Sequence, residues 1–274
     1  MRFLHSSKFV LIFVLLLLTQ LLAQQPAPAS RPVQSGDVVS SGSRIQAPAP
    51  TFSIAEETYT YNAEWRIWNA GTITLSIGRE GINQRLNASA ESQGVVSLLY
   101  PVHDRFQSLY DPKTFCSVSL RKHTEEGFHK RDTLISYNYA RKKAVLDETN
   151  LKNNQAKHVE NDIPNCVTDV VSGLMYLRSL PLTVGSVYTF PLNDGNKTVD
   201  VVAKVEAKES VKTPAGTFQT VRVSPDNPTG PLKTKGKVWI WYTDDARHVP
   251  VQLRGKMFWG TLTLALKSIE PAKK

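Results

Sequence analysis

The sequence is poor in the residues that most enzymes use to hold a metal or activate a nucleophile. There are two cysteines, Cys116 and Cys166, in 274 residues, and they form no C-x-x-C pair. None of His103, His123, His129, His158 and His248 stands in an H-x-x-x-H spacing, so the chain offers no metal-ligand pattern; His123 and His129 flank an expected turn and are the one pair that a hairpin would bring together. A nucleophile elbow, a phosphate-cradling glycine loop and a dinucleotide fingerprint are missing, and with them any pointer to catalytic residues or a cofactor. Beyond the N-terminus no apolar run approaches the roughly 20 residues that a spanning helix needs.

The N-terminus itself is apolar. Met1 to Ala23 has the make-up of a secretory signal peptide: Arg2 and Lys8 form a basic start, Phe9 to Leu22 is hydrophobic, and Ala23 is the small residue before the expected cut. No cysteine follows to carry a lipoprotein anchor. Residues 24–50 are rich in Pro, Ala, Ser and Gln, have too few large apolar side chains to pack, and read as a disordered tether. Residues 51–274 remain for a single β domain, enough for a sizeable core. Loss of Arg2 and Lys8 takes the formal net charge from +9 to +7. The excess is scattered in short runs such as Arg121-Lys122 and Arg141-Lys142-Lys143, which argues against nucleic acid and leaves simple solubility, or contact with anionic lipid or polysaccharide. In an exported chain the two cysteines fit one disulfide, Cys116–Cys166; two buried free thiols fit equally well.

What is abundant is a two-residue rhythm. Val238, Ile240 and Tyr242 alternate with Lys237, Trp239 and Trp241; after the turn Asp244-Asp245-Ala246-Arg247 come Val249, Val251 and Leu253, then Leu262, Leu264 and Leu266. This is the pattern of a three-stranded antiparallel meander. The same rhythm runs through Tyr59, Tyr61, Ala63, Trp65 and Ile67, then Ile73, Leu75 and Ile77, then Leu86, Ala88 and Ala90. Further strands are expected over 104–110, 114–120, 128–139, 144–147, 188–192, 199–207 and 218–223, separated by turn sequences such as Asp111-Pro112-Lys113, Glu125-Glu126-Gly127, Asn193-Asp194-Gly195 and Pro214-Ala215-Gly216. Val95–Tyr100 is a short apolar run closed by Pro101, and residues 148–161 and 224–235 read as loops. One stretch, 165–181, changes period: Val170, Leu174 and Leu177 form a helical stripe, Thr168 or Asp169 suits the N-cap, and Pro181 ends it. The expected fold is mainly β: one long curved antiparallel sheet, a half-barrel or open barrel, with a single packed α-helix.

An ordered set of short motifs carries a family resemblance: Tyr61…Trp65…Gly71, Tyr100-Pro101…Asp104, Asp169…Leu177-Arg178-Ser179-Leu180-Pro181-Leu182, Thr213-Pro214-Ala215-Gly216-Thr217-Phe218 and Trp241…Asp244…Arg247…Pro250-Val251. Over about residues 58–266 the chain resembles the bacterial exported family known as domain of unknown function 3108. The resemblance implies export to the Gram-negative cell envelope and a mostly antiparallel β fold. It implies no activity and no catalytic residues.

A curved sheet with one helix encloses an apolar concavity, the usual setting for hydrophobic ligands. The expected function is that of a non-enzymatic envelope protein, periplasmic or secreted, that binds or carries an apolar or amphipathic, lipid-like ligand. The candidate ligand-binding residues are Tyr61, Trp65, Asp104, Leu174, Arg178, Trp239 and Trp241. Tyr61 and Trp65 share one strand face, Trp239 and Trp241 another, and Leu174 belongs to the helical stripe. Arg178, at the helix end, suits either the helix dipole or an anion. Asp104 suits an ion pair with Arg105 or a polar head group. Two other readings stand beside this one: an adaptor that docks an envelope partner through exposed aromatics, and a hydrolase built on dispersed polar residues such as His103 and Asp104. The mature chain is expected to have no spanning helix and no nucleic-acid partner.

Overall fold

A computed structural model describes residue 45 and residues 54–226, 236–257 and 260–271. The expected signal peptide, nearly all of the tether, and most of the loop over 224–235 lie outside the described residues.

Among the described residues, fourteen strands are interspersed with two short helices. In order they are β1 (Glu57–Trp65), β2 (Trp68–Glu80), β3 (Asn83–Ser92), α1 (Gly94–Leu99), β4 (His103–Tyr110), β5 (Ser117–Glu126), β6 (His129–Asn138), β7 (Lys143–Asn150), β8 (Ala156–Asp162), α2 (Ser172–Arg178), β9 (Val187–Asn193), β10 (Thr198–Thr213), β11 (Gly216–Asp226), β12 (Gly236–Thr243), β13 (Pro250–Met257) and β14 (Gly260–Pro271). All fourteen belong to one antiparallel sheet, a meander from β8 back to β1, across to β14, and back to β9. The edge strands, β8 and β9, are neighbours in the chain, joined through α2.

Strand faces follow the side-chain period. Tyr59, Tyr61 and Ala63 of β1 point inward with Ile73, Leu75 and Ile77 of β2 and Leu86, Ala88 and Ala90 of β3. The small residues of β3 let the sheet bend closely, and Gly71 permits it: a Cβ there would come 2.1 Å from the Glu91 carbonyl oxygen.

The curvature is read from what α2 and its approach segment touch. Asp169, just before the helix, bonds Ser108 of β4 and Ser117 of β5, while the carbonyl of Leu174 accepts from Tyr242 of β12. In sheet order β5 and β12 are seven strands apart, about 33 Å in a flat sheet. A seven-residue helix is only about 10 Å long. The sheet therefore curls around α2 as an open barrel, and the ladder does not close between β8 and β9.

Four local expectations change. Residues 148–161 are not a loop: β7 runs to Asn150 and β8 starts at Ala156. As an edge strand β8 is wet on both faces, so it carries charge (Lys157, His158, Glu160) where an inner strand would carry a stripe. The helix is shorter than 165–181: it runs over Ser172–Arg178, with Val171, already in the αR region, at its N-cap position. The apolar run at Val95 forms a second helix, α1, in which only Val96 is buried. Cys116 lies one residue before β5 rather than inside it, and is joined to Cys166 by a disulfide with Cα atoms 5.0 Å apart.

Candidate functional site

The interior has two polar centres, one at each end of the barrel. The first lies under α2. Asp169 is fully buried, and its carboxylate accepts four hydrogen bonds: from the hydroxyls of Ser108 and Ser117 on Oδ2, both at 2.7 Å, and from the backbone N–H groups of Val171 and Ser172 on Oδ1 at 2.8 and 3.0 Å. It is the expected helix cap, and it also pins the helix start to two strands. Every lone-pair direction is used, so Asp169 holds structure together rather than offering itself to a ligand.

At the other end of α2 stands Arg178, 1% exposed. Its Nε donates to the Arg247 carbonyl at 2.7 Å, its guanidinium carbon lies 5.6 Å from the Tyr59 ring centre, and its Nη1 has no partner. Among the described residues Arg178 makes no ion pair. Tyr59 relays toward an acid instead: its hydroxyl donates to Glu57 at 2.6 Å, and Glu57 in turn accepts from Arg247 Nη2 at 2.7 Å. His248 bonds the Arg178 carbonyl through Nδ1 at 2.9 Å; a carbonyl only accepts, so Nδ1 carries the proton. The rest of the surround is phenolic. Tyr61 donates to the Pro250 carbonyl at 2.8 Å, Tyr242 to the Leu174 carbonyl at 3.0 Å, and the buried Tyr110 hydroxyl has no partner. Burial raises all four phenols, Tyr59, Tyr61, Tyr110 and Tyr242, above their ordinary pKa, against the opposing pull of the Arg178 charge. They are neutral hydrogen-bond donors around a buried cation.

The second centre lies at the opposite end of the strands. Asp104 is fully buried; its Oδ1 accepts the Glu125 N–H at 2.8 Å and its Oδ2 has no partner. Burial, and then the charge of Glu126, push its pKa up to about 8. Burial raises Glu126 to about 7, with Arg131 and Lys122 pulling the other way. Tyr100 beside them is pushed up to about 12, by burial and then by the two acids. Lys122, pointing inward on β5, is lowered by burial against the fields of Asp194, Glu148 and Asp169.

The structure thus gathers Tyr61, Leu174 and Arg178 at one place and separates the other candidates. Asp104 lies six residues along β4 from Tyr110, about 20 Å away. Trp65 is at the far end of β1, with the Arg66 guanidinium 5.3 Å from its ring centre. Trp239 and Trp241 are on the outer face of β12, opposite Ile240 and Tyr242. Trp241 is buried there because Arg254 lies 5.3 Å from its ring centre and its Nε1 donates to Glu209 at 2.7 Å; Lys237 covers Trp239. His103 and Asp104, adjacent on β4, face opposite ways, with His103 bonded outward to Glu91. Arg105 also faces outward, away from Asp104. His123 bonds Asp132 rather than meeting His129, and among the described residues no group of three ligands is placed to hold a metal. Sequence reasoning missed Tyr110, Glu126 and Lys122 as interior polar groups. The two-residue count from Asp104 and Leu120 is the signal that marks their faces.

No helix among the described residues is long and apolar enough to cross a membrane. Among solved structures, a β-barrel-like protein of domain of unknown function DUF1849 from Brucella abortus overlays with a TM-score of 0.56 at 7% identity, covering 80% of this chain and 99% of its own. That likeness concerns the fold alone. A protein inferred to be exported, with a YmcC-like fold, from Bacteroides fragilis (11% identity, 79% of this chain and 96% of that one) overlays with a TM-score of 0.28, too loosely to bear on the argument. No curated protein matches the chain. Residues 60–267 match the family described as protein of unknown function DUF3108, and the chain belongs to that family.

Proposed function

We propose that this chain is a non-enzymatic, extracytoplasmic binding protein that holds an amphipathic ligand inside the open barrel, with the ligand's anionic head on Arg178. The observation that carries the reading is the guanidinium itself: buried, without an ion pair, with Nη1 unpartnered and the hydroxyl of Tyr110 equally unpartnered nearby. A buried cation without a counter-charge is strongly unfavourable, and a carboxylate or phosphate head would supply that charge together with acceptors for both groups. The phenols around it are held neutral by burial, which suits them to donate to an anion and not to act as bases. The disulfide supports an oxidising, extracytoplasmic setting. The β8–β9 seam is closed by side chains rather than by a backbone ladder, which makes it the place where the barrel could open to admit a ligand.

The test is uptake of a fluorescent long-chain fatty acid by protein recovered after export, followed by extraction and mass spectrometry of what co-purifies. Wild type is expected to bind it at micromolar concentration, and Arg178→Met to lose at least tenfold in affinity, about 1.4 kcal/mol, with its circular dichroism unchanged. A wild-type protein that takes up no amphiphile and carries none from the host sinks the reading.

A further inference from the structure

Most of the strongly exposed large apolar side chains among the described residues are gathered at one end of the barrel. Ile67, Leu98, Leu99 and Phe128 are each between 79% and 87% exposed, and Trp68 and Val95 are more than half exposed. They sit on three consecutive connections of the same end: the β1–β2 turn, α1 between β3 and β4, and the β5–β6 turn. Backbone hydrogen bonds make these connections one continuous rim. The Gln93 N–H donates to the Ala70 carbonyl at 3.0 Å, and the Gly127 N–H donates to the Pro101 carbonyl at 2.8 Å, tying α1 to the turns on either side. The β7–β8 turn continues the rim, with the Leu151 N–H donating to the Lys130 carbonyl at 2.9 Å. α1 is inverted relative to an ordinary surface helix: Val96 alone is buried, and its three other large apolar residues face out. The opposite end holds the disulfide and turns rich in charge, with Ile82 exposed at the β2–β3 turn and the smaller Val184 and Val187 exposed at the entry to β9.

We propose that this rim is a docking surface for an anionic phospholipid bilayer. The charge at the rim complements such a surface. The Lys152 ammonium lies 5.2 Å from the Phe128 ring centre and the Arg66 guanidinium 5.3 Å from the Trp65 ring centre, the arrangement in which cations reach head groups while aromatics enter the interface. The acids of this end are largely engaged: Glu126 is buried, Glu125 accepts from Lys130 at 2.7 Å, and Glu91 is bonded to His103. The apolar groups stand on turn tips rather than line a groove, which suits insertion into a fluid interface more than packing against a shaped partner. The rim stands on these exposed side chains and is independent of the ligand reading at Arg178, which lies at the other end.

The experiment is flotation of the exported protein with vesicles of phosphatidylethanolamine and phosphatidylglycerol, and with vesicles of phosphatidylcholine. Wild type and Ile82→Ser are expected to float with the anionic vesicles and far less with the neutral ones. The Leu98→Ser/Leu99→Ser pair and Phe128→Ser are expected to bind at least about tenfold more weakly, with melting temperatures within a few degrees of wild type. Four results each overturn the proposal: a folded wild type that stays with the aqueous phase; equal loss in Ile82→Ser; self-association of wild type that the rim substitutions abolish without vesicle binding; and capture of an envelope protein through the rim by a chain that ignores vesicles.

Discussion

Asn193, the last residue of β9, donates its side-chain amide to the Asn161 carbonyl oxygen of β8 at 2.7 Å, and Asn161 donates back to the Gly195 carbonyl at 2.7 Å. Two edge strands that share no ladder are thereby clasped by side chains. Asn193 also donates to Thr198 and accepts the Gly195 N–H, so one fully buried amide serves three partners. The turn it organises is pressed on the β6–β7 interior: a Cβ at Gly195, where φ is +94°, would meet Leu146 at 2.6 Å and Ile135 at 2.8 Å. Asn193→Ala leaves these partners unpaired and is expected to destabilise the fold by roughly 2–4 kcal/mol. Urea denaturation reads the loss, and hydrogen exchange should show β8 amides opening first. An unchanged midpoint would mean that the seam is held elsewhere.

Asp104 and Glu126 give the stability a pH dependence of definite sign. Both carboxyls bind a proton more tightly folded than unfolded, since their pKa values are raised to about 8 and about 7. Their contribution is therefore fully favourable below the ordinary carboxyl range and is lost as pH climbs through 7 and 8. Asp104→Asn keeps the acceptor for the Glu125 N–H and cannot ionise. Its gain over wild type is expected to be about 1–3 kcal/mol larger at pH 9 than at pH 5. The difference between variant and wild type isolates this group from the other carboxylates. A gain that is the same at both pH values would show that Asp104 is already ionised in the fold at pH 5 and that its pKa is not raised.

Much of this architecture is legible in the sequence, because one face of nearly every strand must be apolar. Tyr59, Tyr61 and Ala63, or Leu262, Leu264 and Leu266, announce both the strand and its inner face. β8 escapes because an edge strand wet on both faces has no stripe to show. The helix is overestimated because Val167 and Val170, which extend the helical stripe, are buried in the approach and turn ahead of the helix, fixed by Asp169. Arg178 is recognisable as the helix-end cation, but that it faces tyrosines and no acid depends on β1, β4 and β12 meeting, which no local pattern encodes. Trp241 misleads for the converse reason: its neighbour Glu209 comes from β10, and only the strand order brings their side chains together on the outer face.

The disulfide closes a loop of 50 residues between the start of β5 and the approach to α2. In the chain-entropy picture such a crosslink contributes roughly 3–4 kcal/mol. Cys116→Ser/Cys166→Ser is expected to lose about that amount in urea denaturation and to loosen the approach segment specifically. Asp169 lies three residues beyond Cys166 and depends on that segment for its position. Hydrogen exchange of Val171 and Ser172, whose amides Asp169 accepts, should accelerate more than that of β13 or β14. Uniform acceleration across the sheet would mean that the bridge acts on the unfolded chain alone.

Arg178→Met separates a structural role for the cation from a binding one. If the guanidinium chiefly held the fold, its replacement would strand its single side-chain acceptor, the Arg247 carbonyl, and remove the contact with Tyr59, lowering stability by several kcal/mol. If instead the empty protein carries the burden of an uncompensated buried charge, methionine fills a similar volume without it, and stability is expected to stay level or rise by about 1–2 kcal/mol. The second outcome is the expected one, because Nη1 has no partner and, among the described residues, no acid forms an ion pair with the group. It should be accompanied by a change in ligand response: a long-chain fatty acid at saturating concentration raises the melting temperature of wild type and leaves that of the variant where it was. A variant that is less stable yet still stabilised by the fatty acid would move the head-group site away from Arg178.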